Sequence, residues 1–168
     1  MSNSSNKAAV VTGGAGFIGS HMVERLLADG HKVVVVDNYS TGRPENLARF
    51  AENPDLTVFE ADIATADIAP YFEGAAWVFH FAALADIVPS IQNPDAYFHA
   101  NVDGTFNVVQ AARQAGAEKL LYAASSTCYG MPDVYPTPED AKIRPQYPYA
   151  LTKNLGEQIV RHWAQVYN

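Results

Sequence analysis

The sequence is poor in cysteine, in positive charge and in long apolar runs. Its single cysteine, Cys128, excludes an internal disulfide and fits a reducing compartment. Eleven lysines and arginines face eighteen aspartates and glutamates, a formal net charge of −7. An acidic balance of this size argues against nucleic acid and against an anionic membrane surface as partners. It says little about a small anionic ligand, which needs only a local pocket. No apolar run is long enough to span a bilayer. Met1 to Asn6 are polar and lack the apolar centre of a signal sequence. Together these absences read as a soluble cytoplasmic protein with a frayed N-terminus. His21, His31, His80, His99 and His162 show no metal-ligand spacing with Cys128 or with carboxylate pairs, so no metal site is expected. There is no internal repeat, heptad run or low-complexity segment.

What is present is a core. Hydrophobic residues make up 48% of the 168, enough for one domain and too many for disorder. Apolar runs alternate with helical patterns. Strands are expected at Ala8 to Val11, Lys32 to Val36, Leu56 to Glu60, Ala76 to Phe81 and Lys119 to Ala124. The β-branched run ending at Val36 is typical of a parallel strand buried on both faces. Between the strands, Phe17, Ile18, Met22, Val23, Leu26 and Leu27 mark a helix that Asp29-Gly30 stops. A short helix over Pro44 to Glu52 and a weak one over Thr65 to Phe72 are expected. Phe98, Val102, Phe106, Val109 and Ala112 mark a long helix. A Pro- and Tyr-rich connection, Gly130 to Pro148, leads to a last helix with Leu155, Ile159, Trp163 and Val166 on one face. Strand–helix alternation predicts an α/β fold: a doubly wound parallel sheet with helices on both faces and strand order 3-2-1-4-5. The ligand crevice belongs at the C-terminal strand edge, where that order reverses.

Thr12-Gly13-Gly14-Ala15-Gly16-Phe17-Ile18-Gly19 lies between the first strand and the first helix. The Gly13-x-x-Gly16-x-x-Gly19 spacing suits a strand-to-helix turn that carries a dinucleotide pyrophosphate. The first glycine allows the tight turn, the second the approach of backbone to phosphate, and the third close helix–strand packing. The N–H groups and positive dipole end of the new helix then face the phosphates. Asp37 ends the second strand, 18 residues after Gly19, where such a fold places the acid that bonds the adenosine ribose. A carboxylate there repels a 2′-phosphate and favours NAD over NADP, a preference that nearby Arg43 weakens slightly.

Tyr149 and Lys153 sit four residues apart at the start of the last helix, with Pro148 in its first turn, so they share a face. A lysine ammonium near a phenol favours the phenolate and equips the tyrosine as a general base. Alone, such a pair is common on solvated helix faces; after a dinucleotide turn and five strands it gains meaning. Ser125, Ser126 and Thr127 follow the fifth strand at the ligand edge. A hydroxyl there either bonds a reacting oxygen or satisfies loop backbone groups.

At this point the chain resembles the extended short-chain dehydrogenase/reductases, in the branch of NAD-dependent sugar-nucleotide epimerases and dehydratases. The residues that carry the resemblance are Thr12 to Ser20, Asp37-Asn38, Asp62-Ile63, His80 to Ala83, Asn101-Val102-x-Gly104-Thr105, Ser125 to Gly130 and Tyr149-x-x-x-Lys153. They cover nearly the whole chain in order. The resemblance implies a Rossmann-type NAD-binding domain spanning residues 1–168. It implies Gly13, Gly16, Phe17, Ile18 and Gly19 as the pyrophosphate loop, Asp37 as ribose ligand with Asn38 and Ser40 beside it, and Asp62 and Ile63 at the adenine. Phe81, Ala82 and Ala83 match the cofactor-lining strand edge, and Asn101 the asparagine that supports the active-site helix. Ser125 matches the catalytic hydroxyl, Tyr149 the base, and Lys153 its partner, which also holds the nicotinamide ribose.

Two departures narrow the reading. Family dehydratases usually carry an acidic pair where this chain has Ser126 and Thr127. Some 4-epimerases carry a lysine where it has Ala85. Family members also continue past the Tyr-x-x-x-Lys helix, so the nucleotide-sugar half is expected after residue 168. The resemblance then implies an isomerase of carbohydrate metabolism, a UDP-hexose 4-epimerase working through a transient 4-keto sugar. A nucleotide-sugar dehydrogenase or reductase with net redox change, and a catalytically silent NAD-binding fragment, stay open as alternatives. It also implies a homodimer through a four-helix contact of Phe98–Ala115 and Leu151–Val166.

Overall fold

Valine-rich segments dictate the centre of the molecule. In the computed structural model, which describes residues 7–167, β1 (Ala8–Thr12) and β2 (Lys32–Asp37) are buried over most of their length. β3 (Leu56–Glu60), β4 (Ala75–His80) and β5 (Lys119–Tyr122) complete a five-stranded parallel sheet in the order β3-β2-β1-β4-β5. This is the expected Rossmann-type order, with the reversal between β1 and β4. The frayed N-terminus expected at Met1 to Asn6 lies outside the described residues.

Period-two alternation sends successive valines to opposite faces, which is why the central strands are apolar without interruption. Ala9, Val11, Val33 and Val35 pack with Val23 and Leu26 of α1 (Phe17–Ala28). Val10, Val36 and Val78 pack on the other face with Ile63, Phe72, Val108 and Ala112. The edge strands β3 and β5 are largely exposed.

The helices depart from expectation in informative ways. Pro44 to Glu52 forms two 3₁₀ turns, Pro44–Asn46 and Ala48–Phe50, instead of one helix. The weak helix over Thr65 to Phe72 shrinks to a 3₁₀ turn at Ala69–Phe72. Pro70 lacks a backbone N–H and disfavours helical backbone before it, which accounts for the shortening. A short α2 (Ile87–Gln92), unforeseen in the sequence, follows β4. The long helix starts earlier than Phe98: α3 (Pro94–Phe98) runs through a π-helical turn (His99–Asp103) into α4 (Gly104–Gln114).

Two apolar stripes face outward. Phe98 and Phe106 are exposed, while the core side of α4 is Val108, Ala111 and Ala112. Likewise α5 (Pro148–Val166) buries Ala150, Thr152, Lys153 and Gly156 and leaves its stripe of Leu155, Ile159, Trp163 and Val166 partly or fully exposed. Trp163 packs edge-on against Phe106 at 5.4 Å, so the two stripes join into one apolar face.

Candidate active site

The crevice beyond the C-terminal ends of β2, β1 and β4 forms a cleft of about 540 Å³. The turn after β1 brings Gly13 and Gly16 to it. The end of β2 brings Asp37, Asn38 and Ser40, the segment after β3 brings Asp62 and Ile63, and the segment after β4 brings Phe81, Ala82 and Ala83. Ten of the sequence-expected binding residues thus meet on one wall system.

The glycine turn is shaped by close approach. Gly13 has φ +71°, and a Cβ there would lie 2.5 Å from the Ala82 nitrogen. The loop is therefore pressed against the end of β4, and no side chain fits between them. A Cβ on Gly19 would lie 2.1 Å from the Gly13 carbonyl oxygen, so α1 begins in contact with the turn. Gly16 caps α1 without a side-chain hydrogen bond. The first-turn N–H groups are thus left to a ligand or water, as an anion site at a helix start requires.

Asp37 is buried and held from two sides. Its Oδ2 accepts the Ala15 N–H at 2.9 Å and its Oδ1 accepts the Tyr39 N–H at 2.8 Å. The carboxylate is oriented before any ligand arrives, and each oxygen keeps a lone pair for a hydroxyl. Asp62 accepts the Ala64 N–H at 2.8 Å and the Asn38 amide at 3.0 Å, which joins the ends of β2 and β3.

Six expected binding residues do not line this cleft: Tyr149 and Lys153, which belong to α5, and four others. Phe17 and Ile18 are 79% and 59% exposed at the start of α1, so their side chains stand away from it. Gly19 lies beneath the turn. Asn101, only 1% exposed, is a strut: it accepts the Leu84 N–H at 2.8 Å and donates to the Leu84 carbonyl and to Thr152 Oγ1, each at 3.0 Å. It ties the β4 edge to α5 from inside the π-helical turn, a local irregularity that frequently marks functional positions.

Two of the three expected catalytic residues, Ser125 and Tyr149, meet where β5 ends and α5 begins. Ser125 precedes a 3₁₀ turn, Ser126–Tyr129, and its Oγ accepts the Thr127 N–H at 3.3 Å. Tyr149 donates its hydroxyl to Ser125 Oγ at 3.4 Å, and Thr127 Oγ1 lies 2.7 Å from the same oxygen. Lys153, one turn further along α5, is 5% exposed. Its Nζ sits 4.2 Å from the centre of the Tyr122 ring, and burial pushes its pKa down to about 8. Cys128 is buried, with Sγ 3.5 Å from the Ala150 carbonyl oxygen, and burial pushes its thiol up, which suits a packing thiol.

Behind the site runs a buried polar chain. Thr105 Oγ1 donates to the Asn101 carbonyl at 2.6 Å, so toward His80 it is an acceptor. His80 Nε2–H therefore donates to it at 2.9 Å, and Nδ1 accepts from Thr12 Oγ1 at 2.7 Å. Burial first, then the Lys153 charge, pushes the His80 pKa down to about 3, so the ring is neutral. This chain links the last residue of β1 to the start of α4.

Sequence reasoning missed Tyr122, Thr152 and Gly156. A Cβ on Gly156 would lie 2.5 Å from the Tyr122 hydroxyl. A lone glycine inside a helix costs about 1 kcal/mol against alanine, and that anomaly was the available signal of a packing constraint. Among the described residues, no group of three or more His, Cys, Asp or Glu could hold a metal ion, and no helix is long and apolar enough to cross a membrane.

Residues 9–168 match the NAD dependent epimerase/dehydratase family. The UDP-glucose 4-epimerase of Mycolicibacterium smegmatis is 42% identical over 163 residues, which cover 95% of this chain and 52% of that protein. A UDP-N-acetylglucosamine 4-epimerase from Methanobrevibacter ruminantium M1, solved with UDP-N-acetylmuramic acid, superposes with a TM-score of 0.91 at 34% identity, covering 96% of this chain and 52% of that one. DesIV of Streptomyces venezuelae, a dTDP-glucose 4,6-dehydratase solved with NAD and TYD bound, gives 0.89 at 32% identity, with 95% and 52% covered. This chain spans about half the length of these proteins. It belongs to the NAD dependent epimerase/dehydratase family.

Proposed function

We propose that residues 1–168 are the NAD-binding and proton-transferring half of a nucleotide-sugar 4-epimerase, with a UDP-hexose as substrate and the sugar-binding part following. The observation that carries this reading is the meeting of Tyr149 with Ser125 at 3.4 Å, one helical turn from buried Lys153 and beside a dinucleotide-shaped cleft.

The cleft suits NAD. The Gly13 turn has no room for a side chain, the start of α1 has no side-chain cap, and Asp37 is pre-oriented toward a ribose. Gly13 and Gly16 take the pyrophosphate, Asn38 and Ser40 flank the ribose, and Asp62 and Ile63 meet the adenine. Phe17, Ile18 and Gly19 contribute through the backbone, because their side chains stand off the cleft or are absent. Phe81, Ala82 and Ala83 form the far wall. Tyr149 and Lys153 approach the nicotinamide side, and Asn101 acts by holding α5 in place.

NAD held by these residues would supply a reversible hydride acceptor for the sugar. Tyr149 takes the proton of the C4 hydroxyl and later gives it back. Ser125 hydrogen-bonds the same oxygen and fixes the carbonyl that forms. Lys153, one turn further along α5, holds the ribose of the nicotinamide half. Ser126 and Thr127 carry no carboxyl group, so elimination of water lacks its acid and base here.

We further infer a homodimer joined through α3, α4 and α5. The joined apolar face of Phe98, Phe106, Leu151 and Trp163 supports it. The single buried thiol supports a cytoplasmic setting.

The test is an assay of the full-length protein with UDP-galactose. Conversion to UDP-glucose with no net build-up of reduced cofactor is expected. Stoichiometric reduction of added NAD would replace this reading with a dehydrogenase.

A further inference from the structure

Lys153 is almost wholly buried, and the described residues place no carboxylate against its ammonium. What they place there is an aromatic face. Tyr122, the last residue of β5, lies with its ring centre 4.2 Å from Lys153 Nζ. The same side chain also holds the helix that bears the lysine, because its hydroxyl donates to the Lys153 carbonyl oxygen at 3.1 Å. That approach is possible only because residue 156 is glycine; a Cβ there would meet the hydroxyl at 2.5 Å and Thr105 Oγ1 at 3.3 Å. The Tyr122 ring also leans against the neutral ring of His80, centroids 5.5 Å apart. Tyr122 thus meets both a buried histidine and a turn of α5.

We propose that Tyr122 is a positioning residue for Lys153: its ring carries the ammonium and its hydroxyl fixes the turn of α5 from which the lysine extends. The proposal deepens the functional reading, since it rests on Lys153 being the partner of the proton-transferring tyrosine.

A buried ammonium has few ways to keep its charge. The charged groups facing it are few. From β4 comes His80, which is neutral; from the turn after β5 comes Cys128, whose thiol burial pushes up; from its own helix, one turn on, comes Glu157, whose charge acts on Tyr122 and Cys128 and which lies 3.9 Å from Arg161 rather than within ion-pair distance of the lysine. Without a counter-ion, a buried ammonium is held by hydrogen bonds or by a π face, or it loses its proton. The Tyr122 face favours the protonated form directly, by its quadrupole. A leucine of similar bulk offers none. Tyr122 therefore sets both the place and the charge of Lys153, while its own anchor on the backbone leaves the ring nowhere else to go.

The experiment reads Lys153 itself. The chain is labelled with ¹³C at lysine Cε, its five lysines are titrated by NMR, and Lys153 is assigned through Lys153→Arg. In the wild type, Lys153 is expected to titrate below the other four, with its ε protons shifted upfield by the ring current of Tyr122. In Tyr122→Phe the ring remains, and both signatures should persist. In Tyr122→Leu the upfield shift should vanish and the midpoint should fall by about one pH unit, the loss expected for a desolvated cation–π contact. A midpoint that stays in place or rises in Tyr122→Leu overturns the proposal, as does a Tyr122→Phe chain that behaves like Tyr122→Leu. If the leucine chain does not fold, the ring-current shift decides, and its absence in the wild type overturns the proposal. NAD calorimetry on the same samples separates the two levels. A wild type that fails to bind NAD counts against the functional reading and leaves the lysine result standing.

Discussion

Ala15 donates its backbone N–H to Asp37 Oδ2 across 2.9 Å, joining the glycine turn to the end of β2 over a sequence separation of 22 residues. The carboxylate that would select the cofactor is thus also a strut of the loop that would bind its phosphates. The chain is expected to bind NAD more tightly than NADP, because a fixed carboxylate repels a 2′-phosphate. Calorimetry with both cofactors checks this, and equal affinity would remove Asp37 from the role. Asp37→Ala should narrow the gap. It should also lower stability by about 1–3 kcal/mol, since the Ala15 and Tyr39 N–H groups lose their acceptor.

Tyr149→Phe, made in the full-length protein, should abolish turnover and leave NAD binding nearly intact. The phenol acts in the chemical step, whereas the proposed cofactor anchors lie at the glycine turn and Asp37. General-base catalysis typically contributes ~10²–10⁴-fold, so the loss in kcat should be at least of that order. A variant that keeps most of its activity would show that another group moves the proton.

Acid should destabilise the fold through His80. Its pKa falls from 6.5 in the unfolded chain to about 3 in the fold. Between those values the unfolded state binds the extra proton, so this contribution is full above pH 6.5 and shrinks as pH falls toward 3. The slope is at most about 1.4 kcal/mol per pH unit. Melting temperatures at pH 7.5 and pH 5 should differ clearly in the wild type and less in His80→Gln. Parallel pH dependence in the two would place the acid sensitivity elsewhere.

Gly156→Ala should destabilise the chain. In an ordinary helix interior the same change stabilises by about 1 kcal/mol. Here the added Cβ meets the Tyr122 hydroxyl at 2.5 Å, so α5 must move or the tyrosine must leave its bond to Lys153. Overpacking of this kind costs typically 1–3 kcal/mol. A raised melting temperature would show that the contact relaxes freely.

The chain as it stands should self-associate at micromolar concentration and show no detectable epimerase activity. β5 is a sheet edge with exposed Leu121, and such edges invite pairing. Phe98, Phe106 and Leu151 add the apolar face proposed for the dimer. Light scattering checks the first part; a monomer at these concentrations would remove the argument from exposed surface. Conversion of UDP-galactose by residues 1–168 alone would show that no further sugar-binding part is needed.

The sequence was most legible where a local pattern has one physical cause. Parallel strands buried on both faces must be apolar throughout, so Lys32 to Val36 could be read as β2 to within a residue. A turn that touches neighbouring backbone must be glycine, so Gly13 and Gly19 could be read from spacing. The spacing from Gly19 to Asp37 follows from the length of one helix and one strand. The five strands, their order and the glycine turn all follow from such constraints. The helical stripes were legible as helices but not in orientation. An apolar stripe such as Leu155, Ile159 and Trp163 looks the same whether it meets the core or a second surface, and here it faces out.

What only the tertiary structure decided were the pairings between residues remote in sequence. Asn101 reads as a support for the active-site helix only by resemblance; its bonds to Leu84 and Thr152 need three elements in place. His80 could be any core histidine until Thr12 and Thr105 close on its two nitrogens and fix its tautomer. Tyr122 and Gly156 carry no local signature, because their meaning lies in a close approach of strand and helix, in which a Cβ at residue 156 would meet the Tyr122 hydroxyl at 2.5 Å. The sequence by itself determined the strands, their order, the glycine turn and the candidate chemistry, since these depend on periodicity and local backbone geometry. The fold alone decided which side chains hold the lysine and the helix in place, since burial and contact across 30 residues or more are properties of packing, not of pattern.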